Sequence, residues 1–162
     1  MDDLFAPPDE PWRRPDPAMK TVRRIVALTT ISVGAAAAAV GLGLLWGGAG
    51  VALAMGLALI AVVWALLLIT RNYRSWGYAE RADDLFVTHG VLIRRLTVVP
   101  YGRMQYVDVE SGPIERRFGL AAVQLHTASP ATDARIPGLR SDEAARLRDR
   151  LSALGEAQAA GL

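Results

Sequence analysis

No charged residue occurs in the 46 positions from residue 25 to residue 70, and both flanks of that block are dense in Arg, Asp and Glu. A hydrocarbon core about 30 Å thick takes roughly 20 apolar helical residues to cross. The block is therefore too long for one span and fits two joined by a tight turn. The break falls in Trp46-Gly47-Gly48-Ala49-Gly50, where three glycines in four residues weaken a helix. The pattern predicts spans over residues 25–46 and 51–70. Neither carries the polar face that a helix of a soluble core keeps. A cleaved signal peptide is also a poor fit, because its apolar stretch is only about 7 to 15 residues behind a short basic start.

After Arg71 the periodicity changes to that of β structure. Residues 77–82, 85–88, 91–100, 104–110, 121–127 and 134–137 read as strands, with turns at Asp83-Asp84, His89-Gly90 and Ser129-Pro130. Residues 113–118 read as a short helical turn, opened by Pro113 and closed by Gly119. Ser141 is a good helix N-cap, followed by Asp142 and Glu143 in the first turn, where acids favour the helix dipole. Leu147, Leu151 and Leu154 form the apolar stripe of that helix, and Gly155 is expected to stop it. Six strands followed by one helix predict a small antiparallel barrel or curved sheet plugged by the helix. Upstream, Pro7, Pro8, Pro11, Pro15 and Pro17 rule out regular structure near the start. The expected organisation is a disordered cytoplasmic tail over 1–24, a transmembrane hairpin over 25–70, a β-domain over 71–155 and a flexible tail over 156–162. The fold class is an α+β membrane protein.

Basic residues near span ends set orientation. Arg13, Arg14, Lys20, Arg23 and Arg24 precede the first span, Arg71, Arg74 and Arg81 follow the second, and the intervening loop is uncharged. Both termini are therefore expected in the cytoplasm, on a multi-pass protein of the cell membrane. Arg23, Arg24, Arg71 and Arg74, with Trp46, Trp64 and Trp76, are the expected membrane-interface residues. Gly34-Ala-Ala-Ala-Ala38 and Gly43-Leu-Leu-Trp-Gly47 permit close helix approach and read as the packing face of the hairpin itself. Net charge changes this picture little: 18 basic residues, 17 of them Arg, face 16 acidic ones.

Candidate chemistry is sparse. With no cysteine, thiolate chemistry, disulfides and cysteine-ligated metals are excluded. His89 and His126 have no metal-site spacing, and no Gly-x-Ser-x-Gly elbow, Walker loop or dinucleotide fingerprint occurs. The expectation is no enzyme and no cofactor. The remaining candidates are cationic: Arg94 and Arg95, Arg103, and Arg116 with Arg117, whose guanidinium forks suit phosphate or carboxylate. Their plain alternative is pairing with Asp108, Glu110 and Glu115 or simple solvation. Nucleic acid is not an expected partner, because 13 basic residues after the spans face 11 acidic ones.

Val91-Leu-Ile-Arg-Arg95, Val99-Pro-Tyr-Gly-Arg-Met-Gln-Tyr-Val-Asp108 and Ser111-Gly-Pro-Ile-Glu-Arg-Arg-Phe-Gly-Leu120 carry a family resemblance, continued by Ile136-Pro-Gly-Leu139 and Glu143-Ala-Ala-Arg-Leu147. In these runs the chain resembles the bacterial pleckstrin-homology domain family of YdbS-like membrane proteins. The resemblance implies a bent antiparallel sheet capped by the C-terminal helix. It also implies a partner, a larger membrane homologue carrying several such domains, beside a second copy of the chain itself. Eukaryotic pleckstrin-homology domains that bind phosphoinositides place basic residues in the first β-turn, where this chain has Asp83-Asp84. The favoured function is a membrane-anchored, non-enzymatic interaction module. The alternative is recognition of anionic headgroups of membrane lipids by Arg94, Arg95, Arg103, Arg116 and Arg117.

Overall fold

Two apolar helices come first. The computed structural model describes residues 11–128 and 132–159. Helix α1 spans Ala18–Trp46 and α2 spans Gly48–Ser75. The turn between them is Gly47, whose φ of 63° is left-handed and whose N–H donates to Gly43 O at 2.8 Å. A Cβ on Gly50 would run into the carbonyl of Leu42, so glycine there is required by the close return of the chain. Residues 20–71 form one unit. Within it Gly34, Ala35 and Ala38 share a cleft with Ala54, Ala58 and Ala61 of the second helix, while the large apolar side chains of both helices point outward. Outward apolar side chains on both helices suit a lipid environment.

The other unit holds residues 1–19 and 72–162. Its strands are β1 (Gly77–Glu80), β2 (Asp84–His89), β3 (Arg95–Pro100), β4 (Met104–Glu110), β5 (Leu120–Thr127) and β6 (Ala134–Arg140). They pair as two three-stranded antiparallel sheets, β1-β2-β3 and β4-β5-β6. The 3-10 turn Tyr101–Arg103 joins the sheets, α3 (Pro113–Arg117) bridges β4 to β5, and α4 (Ser141–Ala159) follows β6. The core is built from inward positions of both sheets, Leu85, Val87, Val99, Val123, Leu125 and Ile136, closed by Leu147 and Leu151 of α4. Tyr101, fully buried, donates its hydroxyl to Arg81 O at 3.0 Å.

Two antiparallel three-stranded sheets and a C-terminal helix fit the expected α+β class, without showing a closed barrel. Three expectations change. Strand β3 starts at Arg95, not at residue 91, because Gly90, at φ 112°, turns the chain where L-residues rarely go. Helix α4 runs through Gly155 to Ala159, since its buried leucine stripe outweighs one glycine. Most consequential, residues 11–24 are not a disordered tail. Arg13 and Tyr78 exchange both backbone hydrogen bonds at 2.8 and 2.9 Å, and Asp16 N–H donates to Gly138 O at 2.7 Å. Pro15 is buried, with its carbonyl accepting from the Tyr73 hydroxyl at 2.9 Å. The Asp16 carboxylate then caps α1 by accepting from Ala18 N–H at 2.7 Å, with Pro17 in the turn immediately before the helix. Residues 1–10, the Ser129-Pro130 turn and residues 160–162 lie outside the described residues.

Candidate interaction surfaces

A three-stranded sheet has two outer strands, so this unit has four. The N-terminal segment covers two of them, through Arg13 on β1 and Asp16 on β6. Strand β4 has one pairing partner, β5, among the described residues. Its surface alternates poorly, leaving Tyr106 and Val109 exposed. Beside it runs a groove of about 390 Å³, lined by residues 104–107 of β4 and by Leu151, Ser152, Gly155 and Glu156 of α4. Tyr106 stacks on His126 at 4.4 Å between centroids, and the imidazole of His126 faces Asp133 at 3.2 Å and Asp108 at 3.8 Å. An outer strand beside a half-apolar groove can accept an extended segment by adding a strand, with backbone bonds for affinity and the groove for side-chain selection.

The five candidate arginines do not meet at one place. Arg94 and Arg95 sit where β2 turns into β3, whereas Arg103 follows β3 at its other end, beyond six strand residues or about 17 Å. Arg116 and Arg117 end α3, on the hairpin of the other sheet. All five are exposed. The acids offered to them are used elsewhere: Glu110 pairs with Arg135 at 3.4 Å, Asp108 faces His126, and Glu115 accepts from Gly112 N–H at 2.9 Å.

The arginine that does converge with acids was not singled out by spacing. Arg146 of α4 donates from Nη2 to Glu80 Oε1 at 2.7 Å and from Nε to Glu143 Oε2 at 3.0 Å, while Arg13 and Arg150 also contact Glu80. The hydrogen bond from Arg146 holds the Glu143 carboxyl down at about 2, and burial with the Glu143 hydrogen bond pushes the Tyr78 phenol up to about 12. Because every charge here has an opposite neighbour, the cluster ties the N-terminal segment, β1 and α4 together and offers no open site. Its signal in the sequence was only the acid-base spacing of Glu143 and Arg146 on one helix turn.

Of the interface candidates, Arg23 and Arg24 lie in the early turns of α1, Arg71 and Arg74 in the last two turns of α2, and Trp46 ends α1. Trp64 is set further in, seven residues or about 10 Å of helix before Arg71. Trp76 belongs to the globular unit, stacked on His89 at 4.8 Å and donating to Asn72 Oδ1 at 3.3 Å. Burial and the nearby Arg95 charge hold the His89 imidazole below its ordinary value, so it is neutral at neutral pH.

The family model described as Bacterial PH domain matches residues 21–155. The UPF0699 transmembrane protein YdbS of Bacillus subtilis is 33% identical over 94 residues, which cover 58% of this chain and 58% of that protein. The chain therefore spans little more than half the length of that curated relative. No solved structure matches it.

Proposed function

We propose, from the premise that the chain belongs to the bacterial PH domain family, that it is a non-enzymatic interaction module whose β4 edge receives an extended segment of a partner membrane protein or of a second copy. It is a membrane protein with two apolar helices and a PH-like domain. In this reading the chain crosses twice, with both ends on the cytoplasmic side. The carrying observation is that the N-terminal segment occupies β1 and β6, while β3 and β4 each have one pairing partner among the described residues and β4 lines the groove with α4.

A photo-crosslinking residue at Gln105, in the full chain in cell membranes, is expected to give a discrete adduct. Ser152→Trp, which fills the groove from an exposed position, should remove the adduct without lowering the melting temperature. Detergent-extracted protein that is monomeric, with no reproducible adduct at Gln105, refutes the reading. Anionic-headgroup recognition by the five arginines is the second reading, and two adjacent pairs offer it guanidiniums beside exposed apolar side chains, Arg94 and Arg95 after Leu92 and Ile93, and Arg116 and Arg117 between Ile114 and Phe118.

A further inference from the structure

Among the described residues, the connection from β2 to β3 carries the most exposed apolar side chains of the globular unit. Leu92 is 98% and Ile93 83% exposed, against 54% for Tyr106, the next most exposed large apolar side chain described there. Neighbouring bare aliphatics of this size mark a surface that something covers. The backbone presents them by construction: with Gly90 at φ 112°, a Cβ there would collide with the carbonyl of Ile93, so the chain doubles back before β3 begins.

Strand register locates this tip. Gly77 pairs with Thr88 and His89 with Arg95, so the tip lies at the end of the sheet where the chain enters from α2, whose last residue is Ser75. Trp76, stacked on His89, marks the same end, and the turn holding Ala82 and Asp83 marks the opposite one. Residues 89–95 include no acid, and Arg94 and Arg95 follow the aliphatics directly. An apolar wedge backed by guanidiniums matches an anionic leaflet, which offers acyl chain to the first and phosphate to the second.

We propose that Val91, Leu92 and Ile93 insert into the leaflet at which α2 ends, with Arg94 and Arg95 engaging lipid phosphates. The sheet is then held to the bilayer at a second point, independent of the covalent tether. This stands apart from strand docking: the tip and β4 belong to different sheets, and either reading can fail alone.

The chain has no cysteine, so Leu92→Cys takes a single nitrobenzoxadiazole label. The full chain is reconstituted in vesicles of phosphatidylglycerol and phosphatidylcholine, with labelled Ala82→Cys as the aqueous reference. The Leu92 label is expected to emit at shorter wavelength, to be quenched by lipids brominated high in the acyl chain, and to lose most of its quenching by iodide. Adding Ile93→Glu and Arg95→Glu should return it to water. Iodide quenching at Leu92 equal to that at Ala82 overturns the proposal. Shielding from iodide without quenching by brominated lipid overturns it as well, since protein, such as a second copy, would then cover the tip.

Discussion

Arg146→Met keeps the stem length of the side chain and removes its fork, and is expected to cost about 2–3 kcal/mol at neutral pH. Glu80, whose side chain is 6% exposed, loses two bonds at 2.7 and 3.3 Å, and Glu143 loses two at 2.7 and 3.0 Å. Breaking a fully buried pair costs about 3–5 kcal/mol. Here Arg13 at 3.5 Å and Arg150 at 3.3 Å remain on Glu80, and Arg146 is itself 37% exposed, so water screens part of the loss. The pH dependence follows from Glu143, held at about 2 against an ordinary 4.5 chiefly by the Arg146 hydrogen bond. A depressed carboxyl stabilises the fold fully above its unfolded value, and that stabilisation is lost as pH falls through the folded one. Without Arg146 the carboxyl returns toward 4.5, so parent and variant differ most at neutral pH and converge as pH falls toward 2. Guanidinium unfolding of the full chain in detergent, followed by near-UV ellipticity at neutral pH and about pH 3, reads both effects. A loss under about 0.5 kcal/mol at neutral pH, or a gap that does not narrow with acid, refutes the clasp and leaves a solvated charged surface.

Gly138→Ala is expected to cost about 1–3 kcal/mol, because φ is 70° there and the new Cβ would lie 2.6 Å from Met19 Sδ; an unchanged melting temperature would show that the N-terminal segment is not held against β6. Gly155→Ala should instead stabilise by about 0.5–1 kcal/mol, since its Cβ would meet Met104 Cε at an ordinary 3.5 Å; a lowered melting temperature would mean that α4 has no room there. Ala49→Cys, in the uncharged turn between the helices, is expected to react with a membrane-impermeant maleimide added outside intact cells, and Ala82→Cys only after permeabilisation. The reverse pattern would invert the proposed orientation.

What the sequence disclosed depended on how far each signal reached. Crossing hydrocarbon permits no charge and no unsatisfied backbone, so the 46-residue block and its break at Gly47 were readable from composition alone. Strand β4, predicted over 104–110, occupies those residues, with Tyr106 on its exposed face. The largest misreading has one cause, a partner distant in the chain. Prolines in 11–17 argued correctly against helix and sheet interior, yet Pro15 is buried because Tyr73, Tyr78 and Gly138 receive that segment, and no local pattern announces them. Val91, Leu92 and Ile93 looked like strand because an apolar letter does not say whether protein or lipid will cover it. Three aliphatics in a row followed by two arginines is not alternation, and that departure was the available clue. The same argument disposes of counting arginines. Five arginines stand in dense clusters, but register sends Arg95 and Arg103 to opposite ends of β3, while the guanidinium that organises the domain, Arg146, reads in sequence only as one of the arginines on the polar side of a helix. Charge acts through geometry over a few ångströms, and for a β-domain that geometry is set by strand pairing between residues far apart in sequence.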